Sequence, residues 1–155
     1  MIYIALIEPE IPQNTGNIAR TAVATGSTLI LVHPLGFSLD EKYCRRSGLD
    51  YWQDVKKIEY PSFSSFIDDV KDKELFFFSS HAKKSLKDIK YPENKDLYFI
   101  FGKESVGLDK SITDSFSNRC FRIPMIKGVR CLNLSNSVAV VVYDALSSFG
   151  YKDLD

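Results

Sequence analysis

No charge of either sign predominates in this chain of 155 residues, where 20 lysines and arginines balance 20 aspartates and glutamates. The global basic field that marks many nucleic-acid binders is therefore missing, and only local patches could steer RNA. Cysteine is scarce and odd in number. Cys44, Cys120 and Cys131 form no CxxC pair and keep no metal-ligand spacing with either histidine, His33 or His81. That pattern argues against a bound metal and for reduced thiols packed as small hydrophobes. No stretch approaches the roughly 18 uncharged apolar residues of a membrane span. The opening MIYIALIEPE sets Glu8 and Glu10 directly after a short apolar run, unlike a signal peptide. A cytoplasmic protein with no membrane partner is expected. Repeats, low-complexity tracts and Gly/Ser-rich linkers are absent as well, so residues 1–155 read as one domain with one core.

What is present is an alternation of short apolar runs and helical patterns. Ile2–Ile7, Thr28–Val32, Leu75–Phe78, Leu97–Phe101 and Cys120–Ile123 read as buried strands. Asn14–Thr25, closed by Gly26, reads as a helix, as do Ser62–Val70 and Asp109–Phe116. Phe37–Tyr51 mixes charges with Tyr43 and Leu49, which suggests a short helix and loop. The alternation predicts an α/β fold with a mainly parallel sheet covered by helices on both faces. The tract after Asn136 is ambiguous, because SVAVVVY has strand propensity. Yet Val138, Val141, Val142, Ala145 and Phe149 fall on one helical stripe, and Gly150 follows where a helix C′ residue belongs. A helix is predicted, with Asn133 or Ser135 near its N-cap.

Three local patterns carry polar groups that helices and strands alone do not require. In PQNTGNIAR (residues 12–20), Asn14 can cap a helix and Arg20 falls nearly two turns in; taken alone, this stretch reads as a cap with an exposed arginine. In FIFGKESVGL (residues 99–108), a buried strand opens into a glycine-bearing loop, as at ligand sites beyond strand carboxyl ends. It is not a P-loop, since Leu97 stands at the first glycine position and Glu104 at the Ser/Thr position. In IPMIKGVRCLNLSNSVAVVVY (residues 123–143), a strand end, a proline, a loop and a polar-capped helix make a credible backbone cradle. Capping needs one side chain, whereas Asn133, Ser135 and Asn136 crowd the same helix start. The surplus points to a site.

In this order and at these separations, the three patterns resemble the signature motifs of the SpoU branch of the SPOUT RNA methyltransferases. The first is Asn14, Gly16 and Arg20; the second is FGKESVGL; the third is IPMIKGVRCLNLSNSVAVVVYD. IEPEIPQNTGNIAR and RRSGLDYW are similar to the short members that methylate the tRNA wobble ribose. The resemblance implies a C-terminal deep trefoil knot, which no spacing or periodicity reveals. It also implies S-adenosylmethionine as methyl donor, transfer to the 2′-hydroxyl of nucleotide 34, and a homodimer whose active site lies at the subunit interface. Alternatives left open are another tRNA or rRNA position, a non-catalytic RNA-binding factor of the same fold, and a small-molecule α/β enzyme.

By the same resemblance, Phe78, Gly102, Ile123, Cys131 and Leu132 would hold the methyl donor. Cys131 departs from the serine usual in the family, and Asp144 from the usual glutamate. Arg20, Asn14 and Asn133 would serve catalysis. A guanidinium donates hydrogen bonds and does not act as a base, so positioning and stabilisation of the developing alkoxide fit Arg20 best. Asn14 would orient Arg20 or the ribose, and Glu104 would anchor Arg20 or a loop amide. Arg45, Arg46, Lys127 and Arg130 are the expected contacts to the tRNA anticodon loop, with the lysine run KKSLKDIK as a further candidate. Tyr51 and Trp52 could stack on a base or pack in the core.

Overall fold

The computed structural model describes residues 1–39, 51–152 and 154. The helix expected within Phe37–Tyr51, along with Cys44, Arg45 and Arg46, therefore lies mostly outside the described residues. Seven strands form the sheet: β1 (Ile2–Ile7), β2 (Thr28–Val32), β3 (Lys57–Tyr60), β4 (Glu74–Phe78), β5 (Lys84–Ser85), β6 (Leu97–Phe101) and β7 (Cys120–Arg122). They run in the order β3-β2-β1-β6-β4-β7-β5, and every pairing is parallel. Among the described residues, four α-helices pack with it: α1 (Pro12–Ala24), α2 (Phe63–Val70), α3 (Lys110–Ser115) and α4 (Leu134–Ser148).

The strand pleat sorts side chains onto two faces. Ile4 and Leu6 of β1, Phe76 and Phe78 of β4, and Phe99 and Phe101 of β6 meet α1 and α4 on one side. Ala5, Ile7, Phe77 and Ile100 face α2 and α3 on the other. The central strands are consequently apolar along most of their length, with Thr28 and Glu74 only at strand starts, the signature of a sheet buried on both faces. Phe99, fully buried, removes enough surface from water to stabilise the fold by about 2–3 kcal/mol.

Helical period outweighs strand propensity in α4, as expected. Val138, Val141, Val142 and Ala145 are fully buried along one stripe, and Gly150 takes the left-handed conformation (φ 67°) just beyond the helix. Burying this stripe against the sheet and beside α1 favours the helix over any isolated valine preference.

Two strands escape the sequence pattern. β3 is an exposed edge with the sequence KIEY, and β5 is a two-residue edge inside the lysine run. Neither carries the apolar signal of a central strand. Charged, short edges of this kind protect a sheet from further pairing.

The start of α1 differs from expectation for a physical reason. The N-cap is Ile11, which offers no side-chain cap, and Pro12 occupies the first turn. Asn14 therefore lies inside the helix and does not cap it. Glu104, far away in sequence, instead ties down the segment leading into the helix, accepting hydrogen bonds from the backbone N–H groups of Glu10 (2.8 Å) and Ile11 (3.2 Å).

Candidate active site

A cavity of about 890 Å³ opens beyond the carboxyl ends of β4, β6 and β7. This is where parallel α/β sheets place their ligands. Phe78, Phe101, Ile123, Met125 and Leu132 supply apolar walls, while residues 102–107 and 130–134 supply backbone. All five residues expected at the methyl donor, Phe78, Gly102, Ile123, Cys131 and Leu132, line it.

Gly102 is required by close approach. A Cβ there would meet the Gly107 carbonyl carbon at 2.1 Å and the Leu108 nitrogen at 2.2 Å. Gly107, at φ 75°, turns the loop back on itself and donates its N–H to the Lys103 carbonyl at 2.9 Å. The third-motif loop is built differently. Among the described residues, one backbone hydrogen bond is internal to residues 123–133, from Val129 N to Ile126 O at 3.5 Å. Most of its amides and carbonyls are thus open to solvent or to a ligand, which suits recognition through backbone groups.

The surplus polar groups join the three motifs into one chain. Asn14 Nδ2 donates to Glu104 Oε1 (3.2 Å), and Asn133 Nδ2 donates to Asn14 Oδ1 (2.9 Å). Asn133 Oδ1 in turn accepts from Ser135 N (2.8 Å) and Ser135 Oγ (2.7 Å), which makes Asn133 the N-cap of α4. Asn14 is therefore held by Glu104 and Asn133 and does not bond Arg20. Glu104 anchors loop amides, the second of its two expected roles. Replacing Asn133 with Ala removes the cap and leaves Asn14 Oδ1 unpaired, for a loss of about 2 kcal/mol in urea unfolding. Asn133→Asp should recover part of this, because its carboxylate still caps the helix.

Acidic residues around the second motif set its local electrostatics. Lys103 Nζ pairs with Glu8 Oε2 at 2.5 Å, and this bond raises the lysine above its usual range. Glu8 stands at a left-handed φ of 50° where β1 ends, a strained conformation concentrated next to the cavity. Glu10 accepts from both the hydroxyl and the N–H of Ser105, each at 2.9 Å, and the hydroxyl contact chiefly holds its carboxyl below the usual value.

Arg20 is placed apart. It is exposed on α1 six residues beyond Asn14, an axial rise of about 9 Å. It is not among the cavity-lining residues. Its Nη2 donates to the Tyr51 hydroxyl at 3.3 Å, and its guanidinium carbon lies 5.0 Å from the Tyr51 ring centroid. Trp52 instead packs against the core, with Lys57 Nζ 4.8 Å above its ring. Arg130 lines the cavity, whereas Lys127 is exposed on the same loop away from the lining. Ser79, Ser80 and His81 also border the cavity. Sequence reasoning missed them, and only their position directly after β4 could have signalled it.

A smaller recess of about 400 Å³ lies at the far end of α4, between residues 86–93 and Asp144–Phe149. Burial, followed by the hydrogen bond to Asp144 (2.9 Å), pushes the Tyr91 phenol far above its usual range there. None of the motif residues that bound the large cavity reaches this recess.

The chain resembles known proteins over nearly its whole length. A Bacillus subtilis protein is 42% identical over 154 residues, covering 99% of this chain and 96% of its own. Its name designates it, provisionally, a tRNA (cytidine(34)-2'-O)-methyltransferase. The tRNA (cytidine(34)-2'-O)-methyltransferase of a Polaromonas strain is 40% identical, with 97% of this chain and 93% of that one covered. A solved structure concerned with the 2-OH methylation of C/U34 on tRNA superposes with a TM-score of 0.88 at 38% identity, covering 98% of each chain. Residues 1–143 match the SpoU rRNA Methylase family, and residues of all three sequence motifs bound the cavity. The chain belongs to that family.

Proposed function

We propose that this protein is a tRNA (cytidine(34)/uridine(34)-2'-O)-methyltransferase that uses S-adenosylmethionine. One observation carries the reading: the Glu104–Asn14–Asn133 hydrogen-bond chain draws three motifs from distant parts of the sequence to the rim of one cavity. Its volume falls within the range of about 300–1,000 Å³ typical of cofactor sites. Apolar walls at Phe78, Phe101, Ile123 and Leu132 suit an adenine, and the unpaired backbone of residues 123–132 suits its polar edges. The methyl donor, when bound, supplies a sulfonium methyl. In the transfer, the ribose O2′ bonds to the methyl carbon, the S–C bond breaks, and its electron pair stays on sulfur. The hydroxyl proton passes to a neighbouring phosphate or to water. Asn14, Asn133 and Glu104 hold the loops in register for this alignment.

The protein works as a cytoplasmic homodimer, with Arg20 reaching the cavity of the other subunit. Its exposure on α1, off its own cavity lining, supports that arrangement, as do the half-exposed Val140 and Tyr143 on neighbouring α4. Arg20 stabilises the developing alkoxide and the adjacent phosphate. Arg45, Arg46, Lys127 and Arg130 contact the anticodon loop. No helix among the described residues is long and apolar enough to cross a membrane.

Incubation with labelled S-adenosylmethionine and total tRNA, followed by nucleoside mapping, tests the reading. The expected product is 2′-O-methylated cytidine or uridine at position 34; label confined to ribosomal RNA or to another tRNA position overturns it. Cys131 offers a direct probe of the cavity, since its thiol is exposed on the lining while Cys120 is buried. At a methyl-donor concentration about ten times its Kd, alkylation of Cys131 by N-ethylmaleimide should slow roughly tenfold, as read by peptide mass spectrometry.

A further inference from the structure

The proposed reaction leaves a physical question about Arg20. A long, exposed side chain loses considerable rotamer freedom when it is fixed, yet alignment demands that it be fixed before the ribose arrives. In this structure the guanidinium already has a holder. Tyr51 Oη accepts from Nη2 at 3.3 Å, and the ring lies beneath the guanidinium carbon at 5.0 Å. The two contacts are complementary. The ring attracts the cation and the hydroxyl holds one N–H, so the guanidinium is restrained at two points and samples fewer orientations. Tyr51 is itself half-buried, next to Trp52, which packs on the core through the sheet face that α1 covers. The holder is thus better anchored than the residue it holds.

We infer that Tyr51 is a positioning residue for methyl transfer, pre-orienting Arg20 by combined ring stacking and a phenol hydrogen bond. This rests on the assignment of Arg20 to the reaction. Tyr51 needs no contact with the methyl donor and is not among the cavity-lining residues. Its loss should therefore appear in the transfer rate and leave donor affinity intact. The ring and the hydroxyl are also separable: Tyr51→Phe keeps the stack and drops the hydrogen bond, whereas Tyr51→Ala drops both.

The test is a double-mutant cycle on the full-length protein. It combines Tyr51→Phe, Tyr51→Ala, Arg20→Ala and Arg20→Ala/Tyr51→Ala, with single-turnover methylation of tRNA and calorimetry with S-adenosylmethionine. Tyr51→Phe is expected to lower the transfer rate about threefold and Tyr51→Ala roughly ten- to thirtyfold, with donor Kd unchanged in both. On the Arg20→Ala background, Tyr51→Ala should cost less than about twofold more, because nothing remains to be positioned. Full activity of Tyr51→Ala, an equal loss in both backgrounds, or weakened donor binding would overturn the inference. Wild-type turnover by Arg20→Ala would instead reject the underlying role of the arginine, an outcome the cycle reports separately.

Discussion

Gly102→Ala is expected to lower S-adenosylmethionine affinity by roughly a hundredfold or more, to the point where calorimetry detects no binding. The cause is steric. The added methyl would lie 2.1 Å from the Gly107 carbonyl carbon and 2.5 Å from its oxygen, both backbone atoms that no rotamer change can move. Relief requires the 103–107 loop to shift away from β6. That loop carries Glu104, so the shift also pulls on the carboxylate that holds the Glu10–Ile11 backbone and on the first link of the Asn14–Asn133 chain. The transfer rate should fall as well, because a displacement of about 1 Å can cost a hundredfold in a reaction governed by alignment. Global stability should fall less, because Gly102 sits at the end of β6 and the core beneath it is unchanged. Near-normal binding by a well-folded Gly102→Ala protein would show that the methyl donor lies elsewhere.

Arg20→Ala is the second large effect. Single-turnover methylation of tRNA should fall by about 10²–10³-fold, while S-adenosylmethionine binds as before. The separation follows from geometry: Arg20 is exposed and off the cavity lining, so its loss removes nothing that holds the donor. Arg20→Lys should recover little, because a point charge cannot reproduce a planar fork stacked on Tyr51. Pairing the two variants tests the shared site. Neither Arg20→Ala nor Gly102→Ala homodimers should turn over. After subunit exchange, random pairing would restore about a quarter of wild-type activity, since half of the dimers would each hold one complete site. No recovery in confirmed mixed dimers would mean that each subunit uses its own arginine.

The central architecture could be read from the chain because burial on both faces writes itself into composition. β1 and β6, and β2 and β4 beyond their first residues, are nearly continuous apolar runs, and the fully buried stripe of α4 has a period that strand propensity could not mask. β3 and β5 could not be read, because an edge strand is held by backbone bonds to one neighbour and its side chains stay in water. The same distinction runs through the site. The five cavity residues were placed by a motif resemblance, and the structure gathers all of them. The hold of Glu104 on the Glu10–Ile11 backbone was hidden because its partners are more than 90 residues apart. Local pattern therefore assigned the cap to Asn14, the nearest residue of a suitable type. The Arg20–Tyr51 contact was hidden for the same reason: an arginine on a helix and a tyrosine thirty-one positions later share no periodicity.

The place of β7 has a consequence for biosynthesis. β4 and β5 are neighbours in the sequence, yet β7 lies between them and bonds to both. Until Cys120–Arg122 leaves the ribosome, the slot that it fills stays vacant, and Phe77 and Phe78 present backbone groups with no strand to receive them. The nascent chain therefore carries an adhesive flank for most of its synthesis, a liability that chaperones exist to shield. The cavity waits on the same strand, because β7 leads directly into the loop of residues 123–133 that forms part of its wall.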